Sequence, residues 1–241
     1  MTARDIAGAL PDIGSLKDLC RSMAMAEAIL NPDGERFYSY SAEWSGTEQV
    51  ASMRNGSGDE YDVVFAPVGA YIRGFDHESP LSPYRHEDGP RPWPGVLDSV
   101  PEAFRRYVEE PAFTDEDGCP VVTACLWRET NAPSWRTGRI TFPDDHPDPD
   151  GSARLFELLL TPTPEAFRTF AEDYYEVPTD IEALRHIYDL RPLGLPQIIA
   201  LNPRASVSEV VAAARAMRYP LADDLGWTRR DPGMSDVNGK A

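Results

Sequence analysis

The chain has 241 residues, and its 40 aspartate and glutamate residues against 23 lysine and arginine residues give a formal net charge of −17 at pH 7. This charge repels nucleic-acid phosphates, and no stripe of basic residues is present to overcome the repulsion, so we expect no nucleic-acid partner. No run of about 18 apolar residues occurs, and residues 1–9 lack the cationic start and apolar core of a signal peptide. We therefore expect no membrane partner and a cytoplasmic location.

The composition is that of a folded protein, because 41% of the residues are hydrophobic and 10% are aromatic. The length fits one domain, which we place at residues 13–222, with a flexible N-terminus at 1–12 and a flexible tail at 223–241. The three cysteines are too few and too widely spaced for a disulfide framework or a zinc site. We expect them to be reduced core residues: Cys20, Cys119 and Cys125.

Hydrophobic periodicity predicts the first elements of the fold. A helical stripe follows Ser15 and ends at the turn 31–34; its members are Leu16, Leu19, Cys20, Met23, Ala26 and Leu30. The period then changes to two, which predicts strands at 37–44, 49–54, 61–66 and 70–75. Turn residues separate these strands, so we expect an antiparallel meander.

A second group of elements follows a long loop at 69–101. Ser99 and Glu102 have the spacing of a capping box, which predicts a helix that ends before Pro111. The β-rich segments 120–128 and 134–142 predict another hairpin.

The C-terminal part of the domain, residues 153–222, has helical patterns. Pro164 occupies a first-turn position, and capping boxes begin at Thr179 and Ser206, so three helices are predicted there. A short helix is also expected at 195–201, and segment 155–160 fits either a buried strand or a short helix. Together the elements predict an α+β fold: a mainly antiparallel sheet of about six strands, an N-terminal helix and a helical C-terminal third.

The loop 69–101 holds most of the candidate chemistry, in backbone too rich in proline and glycine for a regular element. Aromatic side chains anchor protein interfaces and carboxylates attract basic partners, so four residues are candidates for binding: Trp93, Tyr84, Asp76 and Glu78. Trp93 lies between two prolines, and a lid packed onto the sheet explains it as well as a binding anchor does.

No reaction signature is present, and we assign no catalytic residue. In an alternative interpretation, the loop forms an active site with His77 as a base, Glu78 as its carboxylate and Arg128 as a binder of anionic groups. His86, Asp76, Asp98 and Arg73 are further candidates for the same roles. We favour a structural interpretation, in which His77 and one carboxylate bind the backbone of the loop.

We expect no metal and no cofactor. The chain has no HxH, HExxH or paired CxxC pattern and no glycine-rich phosphate loop. The loop 144–151 has the composition of a calcium site, but its aspartates do not follow the EF-hand order, so we interpret it as a solvated acidic turn. Those aspartates are Asp144, Asp145, Asp148 and Asp150.

Several segments between residues 47 and 190 resemble a family of uncharacterised bacterial proteins. They are GFDHESP at 74–80, SPY at 82–84, WPGV at 93–96, VP at 100–101, EPAF at 110–113, LWR at 126–128 and AEDYYE at 171–176. No activity is assigned to that family, so the resemblance transfers no catalytic or binding residue. It implies a bacterial cytosolic protein, and we associate acidic proteins of this kind with toxin–immunity neighbourhoods.

Two classes of function remain. We favour a protein-binding module with an acidic surface, of which an immunity-type inhibitor of a basic partner is one form. The alternative is a hydrolase or transferase with its site in the 69–101 loop. A histidine, a carboxylate and an arginine that meet in a deep pocket would favour the enzyme, whereas a continuous acidic face would favour the binding protein.

Overall fold

A computed structural model describes residues 1–32, 34–143 and 146–225. The strands are β1 (Tyr38–Ser45), β2 (Glu48–Arg54), β3 (Glu60–Ala66), β4 (Gly69–Phe75), β5 (Ala124–Glu129) and β6 (Arg136–Thr137). They form one antiparallel sheet in chain order, from β1 at one edge to β6 at the other. The predicted α+β fold with its antiparallel meander is therefore confirmed.

Both faces of the sheet are buried, and successive residues of a strand contribute to opposite cores. On β3, Val63 packs in one core and Val64 in the other. On β4, Ile72 packs in the same core as Val63, and Tyr71 packs in the same core as Val64. Every residue of β4 is buried, because this strand lies between β3 and β5 and beneath both covering layers.

Helices cover one face of the sheet. The helices are α1 (Ala3–Ala9), α2 (Ile13–Leu30), α3 (Arg105–Val108), α4 (Ser152–Leu155), α5 (Glu157–Leu160), α6 (Pro164–Tyr175), α7 (Ile181–Tyr188), α8 (Leu195–Leu201) and α9 (Val207–Ala216). All of these except α3 contribute buried side chains to the core on this face. The long helix α2 begins at Asp12, whose carboxylate accepts hydrogen bonds from the backbone of Gly14 and Ser15, rather than at Ser15 itself.

The irregular chain between β4 and β5 covers the other face, together with α3. Its apolar side chains form a second core that includes Leu81, Val96 and Phe104. On this side of the sheet the buried Arg73 forms ion pairs with Glu60 at 2.5 Å and Asp62 at 2.6 Å. The loop 69–101 is thus largely a packing layer, and Arg73 has a structural role in it.

Residues 1–12 were expected to be flexible, but they contain the packed helix α1. Ile6 is fully buried, and the backbone N–H of Ala3 donates a hydrogen bond of 2.8 Å to Asp150 Oδ2. A helix of seven residues is too short to show a clear period and owes its stability to such tertiary contacts, which explains why it was missed.

Other elements differ from the expectation in extent. Segment 155–160 lies in α4 and α5, Ser99 precedes a 3₁₀ turn rather than capping a helix, and β6 has only two residues. The helices expected at Pro164, Thr179 and Ser206 are present as α6, α7 and α9, with Asp180 rather than Thr179 as the N-cap of α7. The proposed tail at 223–241 falls outside the described residues after the 3₁₀ turn Asp223–Leu225. Within the described residues, no helix combines the length and apolar character needed to cross a membrane.

Candidate functional site

A cavity of about 590 Å³ opens between the start of β1, the end of β2 and the helices α4 to α6. Sites for small ligands commonly have volumes of about 300–1,000 Å³. Its walls are formed by Phe37, Tyr38, Met53, Asn55, Asp59, Arg154, Leu155, Glu157, Leu158, Thr161, Ala166, Thr169, Phe170, Asp173 and Tyr174. The lining therefore combines apolar and aromatic side chains with four charged residues, Asp59, Arg154, Glu157 and Asp173.

Three aromatic side chains form the apolar wall. The ring of Phe37 meets Phe170 at 4.8 Å and Tyr174 at 5.1 Å, both edge-on, and Phe170 stacks on Tyr174 at 5.6 Å. Phe170 and Tyr174 are four residues apart on α6, so they lie on the same side of that helix. Tyr174 is 49% exposed and offers ring surface to a bound group.

A charge cluster of four residues contributes two members to the cavity wall. Arg154, on α4, donates to Asp59 through Nη1 and to Asp76 at 2.8 Å through Nη2. His77 Nδ1 lies 2.6 Å from Asp59 Oδ1, and the backbone N–H of His77 donates to the same oxygen at 3.1 Å. Asp59 and Arg154 line the cavity, whereas Asp76 and His77 stand behind them.

Local backbone geometry brings this cluster together. The turn between β2 and β3 is held by Asn55, whose Oδ1 accepts from the backbone N–H groups of Ser57 and Asp59. Gly151 caps α4 with φ +72°, and a Cβ there would lie 2.3 Å from the Cβ of Asp76. Only glycine fits at this position, so it permits α4 to bring Arg154 against the carboxylates.

Burial alone would raise the pKa of Asp59, but the hydrogen bonds from Arg154 and His77 outweigh it and lower the pKa to about 2. The same carboxylates raise the pKa of Arg154 against the opposing effect of burial. Asp59 is thus a carboxylate at neutral pH. It fixes the Nδ1 side of the His77 ring, whose side chain is 41% exposed.

Two further carboxylates lie at the rim of the cavity and do not belong to the charge cluster. Glu157 and Asp173 are exposed, and neither forms an ion pair within the described part of the chain. Asp173 also lines a second, open depression with Glu172, Glu176 and Val177. We name the exposed residues Glu157, Glu172, Asp173 and Glu176 the acidic face.

None of the four binding residues expected from the sequence lines the cavity. Asp76 is buried in the charge cluster, and Glu78 beside it is exposed. Tyr84 is half-exposed, with its ring against Phe75 and its hydroxyl 3.3 Å from Asp115. Trp93 is half-buried, stacks on His86 and donates its indole N–H to the Thr141 carbonyl, as expected for a lid packed on the protein.

The alternative catalytic set is not assembled as expected. Arg128 pairs with Ala70 at the start of β4, whereas His77 follows the end of that strand. A strand rises about 3.3 Å per residue, so the backbones of Arg128 and His77 are separated by roughly 20 Å along it. Arg154 stands beside the histidine instead, and no sequence signal identified it, because its approach depends on the tight packing of Gly151. The hairpin carboxylate Asp59 was likewise missed, since it follows a run of turn residues.

As the structural interpretation expects, one carboxylate binds the backbone of the loop: Asp76 Oδ1 accepts a hydrogen bond of 2.9 Å from the backbone N–H of Glu78. The ring of His77 binds the neighbouring hairpin at Asp59 rather than its own loop. Asp59, Asp76 and His77 also place three potential metal ligands within 4.8 Å of one another. Arg154 already engages both carboxylates, so it occupies the position that a cation would take.

The interpretation of residues 144–151 as a solvated acidic turn was wrong for two of its aspartates. Asp150 is fully buried and accepts from the backbone N–H groups of Ala3 and Ser152, while Asp148 accepts from those of Ala153 and Arg154. Both carboxylates satisfy helix N-termini that would otherwise lack partners. Asp144 and Asp145 lie outside the described residues.

The cysteines are free, and Cys20 and Cys125 are buried as expected, whereas Cys119 is half-buried.

Comparisons of this chain with protein-family models, with curated proteins and with solved structures found no match.

Proposed function

We propose that the protein is a binding protein for a basic protein partner and that it uses the acidic face around the cavity to engage that partner. An immunity-type inhibitor is one form of such a protein. The observation that carries the proposal is that two carboxylates, Glu157 and Asp173, lie at the rim of a cavity with an aromatic wall and form no ion pair with any described residue. Such a rim attracts a cation, and the wall can bury the apolar part of the group that carries it.

The distribution of charge around the cavity supports the same function. The wall includes three carboxylates, Asp59, Glu157 and Asp173, against one arginine, Arg154. That arginine is neutralised by Asp59 and Asp76, so it adds no net positive charge for an anionic ligand. The net charge of −17 adds long-range attraction for a basic protein.

A second candidate function, a hydrolase or transferase, is favoured by the pairing of His77 with Asp59. A carboxylate on Nδ1 orients an imidazole so that Nε2 can act as a base, and this ring is 41% exposed. Two features argue against it. His77 does not line the cavity, and among the described residues Arg154 gives its Nη groups to carboxylates rather than to a site for an anion.

A peptide of alternating lysine and glycine tests the binding function by calorimetry at low salt. The double variant Glu157→Gln/Asp173→Asn removes two charges from the acidic face. The double variant Glu116→Gln/Asp117→Asn removes the same charge from an exposed loop on the other side of the sheet. Each exposed charge pair contributes about 0.2–1 kcal/mol, so we expect affinity to fall about three- to tenfold for the first variant and much less for the second.

Equal losses in the two double variants would mean that the peptide responds only to overall charge and would overturn the assignment of the face. Absence of peptide binding, together with His77-dependent turnover of chromogenic esters or phosphate esters, would place the second candidate function first.

A further inference from the structure

We infer that the cavity is a pocket for an arginine side chain, in which the guanidinium group packs on Tyr174 and pairs with Asp173 and Glu157. This inference rests on the proposed function, because it names the group of the basic partner that the acidic face recognises. Three properties of the cavity carry it: its apolar lining, its exposed tyrosine ring and two carboxylates that pair with no cation in the described ranges.

The apolar lining suits the stem of a long cationic side chain. Phe37, Met53, Leu158 and Phe170 line the cavity and supply hydrocarbon surface along its depth. Arginine and lysine bury their methylene groups against such surfaces while the charged end stays near polar groups. A short or purely polar cation would leave this lining in contact with water.

The exposed ring of Tyr174 favours a planar cation. Phe170 stacks on this ring at 5.6 Å with 15° between the planes and so fixes its orientation. A guanidinium group stacks on aromatic faces and has a fork of donors that matches carboxylates, whereas an ammonium group is a strongly hydrated point charge. The chain uses the same chemistry internally, where Arg73 lies 4.8 Å over the ring of Phe113 while it pairs with Asp62.

The carboxylates supply the charge. Asp173 lines the cavity from α6 and Glu157 lines it from α5, so a cation bound in the cavity has carboxylates on two elements of its wall. The charge cluster does not oppose a cation. Its arginine, Arg154, is held by the two buried carboxylates of Asp59 and Asp76, which neutralise the guanidinium group.

Side-chain analogues test this inference directly, with calorimetry or chemical-shift titration of the full chain. Nα-acetylarginine methylamide carries the guanidinium group as its only charge, and Nα-acetylcitrulline methylamide is its neutral isostere. Nα-acetyllysine methylamide, acetylated on the α-nitrogen alone, carries an ammonium group. We expect the arginine compound to bind at least about tenfold more tightly than citrulline and about threefold or more above lysine, since cation–π and ion-pair terms favour it.

Variants link the binding to the cavity. Tyr174→Ala should weaken binding of the arginine compound about three- to tenfold, and Tyr174→Phe should retain it, because the ring face is kept. Asp173→Asn should also weaken it, whereas Asp117→Asn, which removes an equal charge from a distant exposed loop, should leave it unchanged.

Equal binding of the arginine and citrulline compounds, or full retention in Asp173→Asn and Tyr174→Ala, would overturn the arginine pocket. If the lysine–glycine peptide nevertheless bound through the acidic face, the arginine pocket would be wrong but the proposed function would stand. Conversely, cavity binding of the arginine compound without any binding of the peptide would support the pocket and overturn the proposed function.

Discussion

Gly151 lies so close to Asp76 that a Cβ on residue 151 would come within 2.3 Å of the Asp76 Cβ and 2.5 Å of its Oδ2. This contact joins the start of α4 to the end of β4, and it is what allows Arg154 to pair with Asp76 and Asp59. The position combines a close approach with φ +72°, a conformation that strains any residue with a side chain.

We therefore predict that Gly151→Ala lowers the free energy of unfolding by about 2–4 kcal/mol, as left-handed strain and overpacking combine. Gly118→Ala is the matched control, because Gly118 has φ +81° but nothing within 4 Å of an added Cβ. Gly118→Ala should lower the free energy of unfolding only through backbone strain, by about 1 kcal/mol. Denaturant unfolding of both variants measures the difference, and equal costs would contradict the packing described for Gly151.

Asp59 should matter more to stability than His77. The buried Asp59 carboxylate binds Arg154, His77 and Asn55, so Asp59→Ala removes several hydrogen bonds at once and should cost about 3 kcal/mol. The half-exposed His77 ring makes one strong contact, and His77→Ala should cost about 1 kcal/mol. Thermal or denaturant unfolding checks the order, and a larger loss for His77→Ala would contradict it.

The pKa of Asp59 is lowered to about 2 in the folded protein, below its value of about 3.9 in an unfolded chain. A carboxylate with a lowered pKa contributes stability above its unfolded pKa, and that contribution is lost as pH falls toward the folded pKa. We expect the difference in unfolding free energy between wild type and Asp59→Asn to be larger at pH 5 than at pH 2 and to shrink between about pH 4 and pH 2. A difference that grows on acidification would reverse the sign of this linkage.

Glu27 should have the opposite pH dependence. Burial raises its pKa to about 7 although its carboxylate accepts hydrogen bonds from the Tyr175 hydroxyl and the Phe37 backbone. The folded state therefore binds a proton that the unfolded state releases above about pH 4.3, and stability from this group is lost as pH rises through about 7. Phe37 lines the cavity, so this carboxylate also supports one of its walls.

The measurement is the unfolding free energy of wild type minus that of Glu27→Gln, followed from pH 5 to pH 8. Glutamine keeps an oxygen acceptor but cannot titrate, so the difference should fall with rising pH, and wild type should lose its relative advantage above neutrality. The subtraction removes the contribution of Asp150, whose pKa burial also raises. A pH-independent difference would show that Glu27 does not titrate in this range.

The regular elements were largely predictable, whereas the site was not. Turn residues and strict alternation place β1 to β4 in the sequence, and proline or capping residues mark α6, α7 and α9, because these signals are local. The short helix α1 was missed because it depends on a contact from Ala3 to Asp150, far away in the chain.

The candidate site depends on such long-range contacts throughout. Asp59 and Arg154 are 95 residues apart in sequence, and neither belongs to a motif. Tyr174 and Phe37 meet across the α6–β1 junction, so neither alone indicates a cavity. Two members of the charge cluster, Asp76 and His77, were among the candidates predicted in the loop 69–101, whereas Asp59 and Arg154, which line the cavity, were not.

We predict that no metal ion contributes to stability. Asp59, Asp76 and His77 have a spacing that could hold an ion, but Arg154 pairs with both carboxylates. A cation would have to displace that guanidinium, so treatment with EDTA should leave the melting temperature unchanged and elemental analysis should find no stoichiometric zinc or calcium. A lower melting temperature on chelation, restored by added zinc or calcium, would contradict this prediction.

The association rate with a basic partner should depend steeply on salt. With a net charge of −17, long-range attraction can raise association rates by about ten- to a thousandfold at low ionic strength, and salt screens it over about 8 Å at physiological strength. Stopped-flow mixing with the lysine–glycine peptide from low to high salt measures this dependence. If the acidic face is the docking site, as proposed, charge reversal of Asp173 and Glu157 to lysine should slow association beyond the effect of the same change at Glu116 and Asp117. A rate that does not change with salt, or an equal effect of the two reversals, would contradict steering toward the acidic face.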